Sequence, residues 1–545
     1  MSETALTRFR PTHATAYVAA LAVVLAVAVI ALPSLYYPFG RDQGIHAYIA
    51  KLAGDGYVVY RDVFNVKPPL TTVVHGLAQA LFGETMRAIR LMDLLIVAAT
   101  ALMLQSLVAR YLKSLWLGGV AAVAFATGHY SNSYWSTAQT DGWTCLFVAA
   151  AMLLYSRSLD ARSAQVRMLI LCAAGVMIGF AFWLKYTIVV TLLVFPAVHL
   201  AERLHWRRIL ADGAAVSAGF LACVLLGIAT LTAIGALPAF LDIQDFMRSY
   251  VAHGRAWREF ALAPLLMLVR APFATALAML GFYAVYRTLS RPGRHRPEAV
   301  ALLVWTAAAW GAALLQGKVF VYHLLPLNLP LAIAAAVGVH ALTGVLARLG
   351  GRRTAALAAA TACALIVWLS NIPSHYRALG TALGGNEQAL RAYWDGGRFS
   401  HSDFDTRDNL ALVDYLKQRT LPCDSLYVWG YEPAVYFLSG RRMVSRFLYN
   451  FPMFTAYYRQ SYRDEFMAAL AADTPAVFVV EHEDRTPHVS VHDHDSAEIM
   501  AQFGALKSFL GERYRLRDRV ARFDVYYRSD IDPAAARRCP AAAQR

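Results

Sequence analysis

Residues 15–34 read TAYVAALAVVLAVAVIALPS and carry no charge. A helix of about 20 apolar residues spans the hydrocarbon core of a bilayer, and backbone inside that core must satisfy its own hydrogen bonds. Ten more apolar stretches follow, near 87–109, 114–128, 142–157, 166–183, 185–201, 209–235, 263–286, 298–316, 322–346 and 354–371. The expected fold is mostly α: a polytopic membrane protein with about eleven transmembrane helices. Composition agrees, since only 16% of the 545 residues are charged against about a quarter in soluble proteins. The first stretch lacks a small-residue cleavage site before its charged exit, so it reads as a retained helix.

The net charge of +15 could suit nucleic acid. The basic residues, however, gather in short runs between apolar stretches: Arg8 and Arg10, Arg110 and Lys113, Arg157 to Arg167, Arg203 to Arg208, Arg287 to Arg296, and Arg348 to Arg353. Threaded through eleven spans, all six runs fall on one side, which the positive-inside rule makes cytoplasmic. The N-terminus is then cytoplasmic, and residues 35–86, 129–141, 236–262, 317–321 and everything after about 372 lie outside. The expected partner is the lipid bilayer, with no nucleic acid. The expected location is a cell membrane, the inner membrane if the source is bacterial.

Residues 372–545 change composition. LYVWG and AVFVVEH read as strands, EPAVYFLSG as a short helix, and RYRLRDRVARFDVYY as one or two further strands. This predicts two domains: 1–371 in the membrane, with its external loop 35–86, and 372–545 as a small extracytoplasmic (periplasmic or extracellular) α/β domain. Cys145, Cys172, Cys223 and Cys363 fall in spans. Cys423 and Cys539 fall in the outer domain, where a disulfide is permitted but its geometry is not given by sequence.

The loop after the first span is FGRDQGIHAYIAKLAGDGYVVYRDVFNVKPPL. Ile45, Tyr48, Ile49 and Leu52 recur at helical spacing, so a surface helix starts at Asp42 and ends at the GDG of Gly54 to Gly56. Pro68 pushes Lys67 toward an extended conformation, and a second helix runs from Leu70 to Phe82, stopped by Gly83.

These residues resemble the first external loop of the lipid-linked glycosyltransferases of the GT-C superfamily, in the family that holds protein O-mannosyltransferases and the lipid A aminoarabinose transferase. RDVFNVKPPL after two surface helices carries most of the resemblance; TAQTDGW, KVFVYHLLPL and WGYEPAVYFLSGRR extend it over most of the chain. The resemblance implies an inverting glycosyltransferase that moves a sugar from a polyprenyl-phosphate donor, undecaprenyl phosphate in a bacterium, to a lipid, glycan or protein acceptor outside the cytoplasm. It implies Asp42 as the base, Asp141 as the second acidic position, and Lys67, Arg258, Lys318, Tyr322 and His323 as donor-phosphate residues. Trp429 and Glu432 would shape acceptor access.

Two positions depart from the family pattern. Gln43 and Val66 stand where many members carry Glu, and a divalent cation needs several oxygen ligands. The sequence leaves room for a divalent cation without requiring one, and it names no metal ligands. Simpler roles compete: Asp42 and Asp141 as helix caps, Lys67 as a snorkelling lysine, Tyr322 and His323 as an interfacial pair. Asp403 to Asp405 reads as a cap before a helix. Competing functions are transfer to protein, solute transport and a receptor role. A transporter would carry ionisable residues near mid-membrane, and these spans are nearly free of them.

Overall fold

The computed structural model describes residues 12–202, 204–254, 265, 269–290, 296–318, 320–380, 387–395, 397–531 and 539. Arg258 lies outside them. The chain forms two compact units: residues 1–36, 90–227 and 256–380 make the first, and residues 37–89, 228–255 and 381–545 the second.

The first unit is helical. Among the described residues, six stretches are long and apolar enough to cross a membrane: His13–Tyr36, Met86–Leu112, Ala164–Leu184, Trp206–Ala233, Arg296–Leu314 and Val321–Leu346. Shorter apolar helices, Leu115–Tyr130 and Thr140–Ser158, pack among them. Small residues set the closest approaches. A Cβ at Gly281 would sit 1.8 Å from the Ala334 carbonyl oxygen, and one at Gly338 2.1 Å from that of Leu277, as in small-residue packing between membrane helices. The two late stretches that the sequence separates at its Arg348 to Arg353 run form one continuous helix, Asn328–Trp368, of 41 residues. At 1.5 Å per residue it is about 60 Å long, and no turn breaks it at the basic run.

The second unit has a five-stranded sheet. Ser425–Trp429 pairs in parallel with Arg442–Met443 and with Val477–Glu481; Val477–Glu481 pairs antiparallel with Phe523–Arg528, which pairs antiparallel with Tyr514–Val520. Ser425–Trp429 and Val477–Glu481 are buried along their whole length, which explains their unbroken apolar runs. The helix Thr406–Arg419 is capped by Asp405, which accepts from the Arg407 N–H at 2.8 Å. Cys423 and Cys539 are joined by a disulfide.

The loop after the first span belongs to this second unit, as the helices Arg41–Gly54 and Pro69–Phe82. Gly44 allows Arg41–Gly54 to lie against Ala434–Ser439: a Cβ there would sit 2.5 Å from the Ala434 Cβ. Tyr48 stacks on Tyr436 with ring centroids 5.2 Å apart, and its hydroxyl accepts from the Met443 N–H at 3.2 Å.

Candidate active site

Pro68 and Pro69 start the second surface helix: Pro68 is its extended N-cap and Pro69 its first residue, a position where the missing N–H costs nothing. The backbone of Lys67 is pinned on both sides. Its N–H donates to Asn65 Oδ1 at 3.0 Å, and its carbonyl accepts from the Tyr60 hydroxyl at 2.8 Å. Tyr60 holds a left-handed backbone at φ 75°, a cost on the order of 1 kcal/mol offset by these contacts. Gln79 Nε2 donates to the Ala47 carbonyl at 2.7 Å and so ties the two surface helices together.

This places the Lys67 ammonium 4.0 Å from the Asp42 carboxylate, with both side chains more than four-fifths buried. Asp42 is not the cap of its helix. Gly40 holds that position, and its N–H donates to Gln43 Oε1 at 3.1 Å. The Asp42 carboxylate sits in the first turn, where the helix dipole favours negative charge. One turn on, His46 is buried, its ring edge-on to His75 with centroids 5.6 Å apart. Burial, aided by the nearby Lys67 charge, pushes His46 well below the ordinary imidazole range and keeps it neutral.

The first unit holds a second charged centre. Asp141 is fully buried in the first turn of Thr140–Ser158, whose N-cap is Gln139, so it is not a cap either. Its carboxylate meets the Lys185 ammonium at 3.3 Å and accepts from Gln316 Nε2 at 2.9 Å. Gln316 opens the segment that carries Lys318, Tyr322 and His323, all three buried. His323 Nδ1 donates to the Lys318 carbonyl at 2.8 Å, and the rings of Tyr322 and His323 meet edge-on at 4.7 Å.

A family model described as dolichyl-phosphate-mannose-protein mannosyltransferase matches residues 66–232. The fold matches the crystal structure of ArnT from Cupriavidus metallidurans bound to undecaprenyl phosphate, with a TM-score of 0.60 and 15% identity over 96% of this chain and 100% of that one. The chain shares the fold of this ArnT. The apo form of the same ArnT matches at a TM-score of 0.53 and 14% identity, over 94% of this chain and 98% of that one. No curated protein matches the chain by sequence.

Within this fold the expected residues fall into the two units separately: Asp42 and Lys67 in one, Asp141, Lys318, Tyr322 and His323 in the other. Lys185 was not legible in sequence, where it is a single lysine between two apolar stretches; only its contact with Asp141 marks it. Trp429 and Glu432 are both buried, Trp429 donating to the Ser496 carbonyl at 2.8 Å and Glu432 engaged by Arg41.

The residues present do not fit a bound divalent cation. Gln43 uses its oxygen on Gly40, Val66 offers no donor atom, and among the described residues no three His, Cys, Asp or Glu side chains converge as metal ligands.

Proposed function

We propose that this protein is an inverting membrane glycosyltransferase that moves a sugar from a polyprenyl-phosphate carrier to an envelope lipid or glycan outside the cytoplasm. The observation that carries this reading is the meeting of Asp42 and Lys67 at the start of two surface helices, both largely buried, with the Lys67 backbone held on both sides. A carboxylate there accepts the proton of the attacking hydroxyl. The hydroxyl oxygen forms the new bond to the anomeric carbon as the bond to the carrier phosphate breaks, inverting that carbon. The phosphate leaves with an added negative charge, which the Lys67 ammonium neutralises. Lys318, Tyr322, His323 and Arg258, the last outside the described residues, are the further donor-phosphate residues of this reading.

Asp141 orients the acceptor in this reading, paired with Lys185 at 3.3 Å. The disulfide supports an oxidising compartment for residues 372–545. The name of the matching family model favours a second reading, transfer to a protein hydroxyl.

The test uses purified protein in nanodiscs with a panel of undecaprenyl-phosphate-linked radiolabelled hexoses and pentoses. Envelope lipid, glycan and peptide acceptors are offered in parallel. Label moving into lipid or glycan supports the first reading, and label moving into peptide supports the second. Release of label to no acceptor from any donor would sink both.

A further inference from the structure

Arg41 and Asp42 are neighbours in sequence, yet their side chains serve different partners. The Arg41 guanidinium is buried in a clamp built from a distant part of the chain. Its Nε and Nη2 donate to Glu432 Oε1 at 3.0 and 2.8 Å, its Nη1 to Asp403 Oδ2 at 2.7 Å, and its Nη2 also to the Asp403 carbonyl at 2.6 Å. The Tyr431 ring lies 4.8 Å from its central carbon. Glu432 is itself fixed, since its Oε2 accepts from Asn409 Nδ2 at 2.6 Å. Four donated hydrogen bonds and an aromatic face leave the guanidinium one position, which a lysine could not reproduce.

The first turn of any helix is its loosest part, because its N–H groups have no partners within the helix. Gly40 offers no side-chain cap here. The Gln43 contact and the Arg41 clamp both hold the turn that carries Asp42.

We propose that Glu432 and Asp403 are positioning residues for Asp42: by clamping Arg41 they fix the first turn of Arg41–Gly54 and aim the Asp42 carboxylate at Lys67. This rests on Asp42 acting as the base. Other ion pairs of the same unit, such as Arg522 with Asp408 at 2.7 Å, hold the domain without touching the residue beside Asp42. The clamp also joins two motifs far apart in sequence, GRDQG and WGYEP, and so makes the C-terminal domain part of the reaction centre's support.

The experiment labels carboxylates of the full-length protein in nanodiscs with a carbodiimide and an amine, and reads each site by peptide mass spectrometry. In Glu432→Gln, Asp42 should label several-fold faster than in the wild type. Asp55, which caps the other end of the same helix, should label at the wild-type rate. Asp403→Asn should act in the same direction, and it decides the matter if Glu432→Gln yields no folded protein. Asp408→Asn should change neither site. With the donor found active in the panel, Glu432→Gln should lower kcat about tenfold, the scale of a small misplacement of a reacting group, and leave the donor KM unchanged. An unchanged Asp42 rate in both clamp variants, or Asp42 and Asp55 rising together, would overturn the proposal. If the labelling pattern holds but the wild type transfers no sugar, the clamp stands and the reading of Asp42 as base falls.

Discussion

The Asp42 carboxylate and the Lys67 ammonium lie 4.0 Å apart, each at the start of its own surface helix. The distance is long for a closed ion pair.

Asp42→Asn keeps the size of the side chain and removes its proton-accepting charge. Sugar transfer should fall by about a hundredfold or more, the usual cost of losing a general base, with expression and donor binding near normal. Asp55→Asn and Asp62→Asn should cost less. Labelled-donor turnover by matched amounts of each variant checks this. Near-normal turnover by Asp42→Asn would move the search for the base to Asp141.

Lys67→Ala should weaken binding of undecaprenyl phosphate by roughly tenfold to a hundredfold, the worth of one charge-assisted contact. Lys51→Ala should leave it unchanged, because Lys51 is spent on Glu84 at 3.1 Å and Asp55 at 3.5 Å. Binding isotherms in detergent decide it, and equal losses would reduce Lys67 to a general surface cation.

Lys185→Ala should destabilise the protein by about 3 to 5 kcal/mol, since it strands the fully buried Asp141 charge. Asp141→Asn combined with Lys185→Ala should recover part of that loss by removing the stranded charge. Thermal midpoints of the two variants give the comparison. A double variant no more stable than the single would show that the pair contributes through packing alone.

Burial raises Glu432 to about 7, although Arg41 and Asn409 pull it down, and burial likewise raises Asp484 to about 6. Each binds a proton more readily folded than unfolded, so the stability these groups contribute is present at low pH and is lost as pH rises through about 6 to 7. Asp403 works the other way. Burial alone would raise it, but Arg41 holds it below its ordinary 3.8, so its contribution is lost only as pH falls below that value. The thermal midpoint should therefore drop between pH 5 and pH 8, and the drop should be smaller in Glu432→Gln. Parallel curves for the two proteins would remove Glu432 from the account.

A reporter that folds only after export should be active when fused after residue 390. Cys423→Ser should lower the stability of the C-terminal domain by about 2 to 4 kcal/mol, and a reductant should have the same effect on the wild type. Activity of a cytoplasm-only reporter at that position would overturn the orientation.

Much of this protein is written locally. Among the described residues, six long apolar stretches form helices because an apolar helix is the backbone's solution inside lipid. Pro68, Pro69 and Gly83 bound the Lys67 helix, and a residue such as Gly83 at φ 81° ends a helix whatever surrounds it. LYVWG, AVFVVEH and the final hairpin came out as strands because unbroken or alternating apolar runs suit a buried sheet. What tertiary structure alone decided are the long-range pairings. Arg41 reaches Glu432 across 391 positions, Lys185 finds Asp141, Cys423 meets Cys539, and the two late spans merge into one helix. Local pattern records which face of an element is apolar, and so predicts that it will be buried. It does not record which charge waits on the other side, because an ion pair depends on where two separately formed elements come to rest.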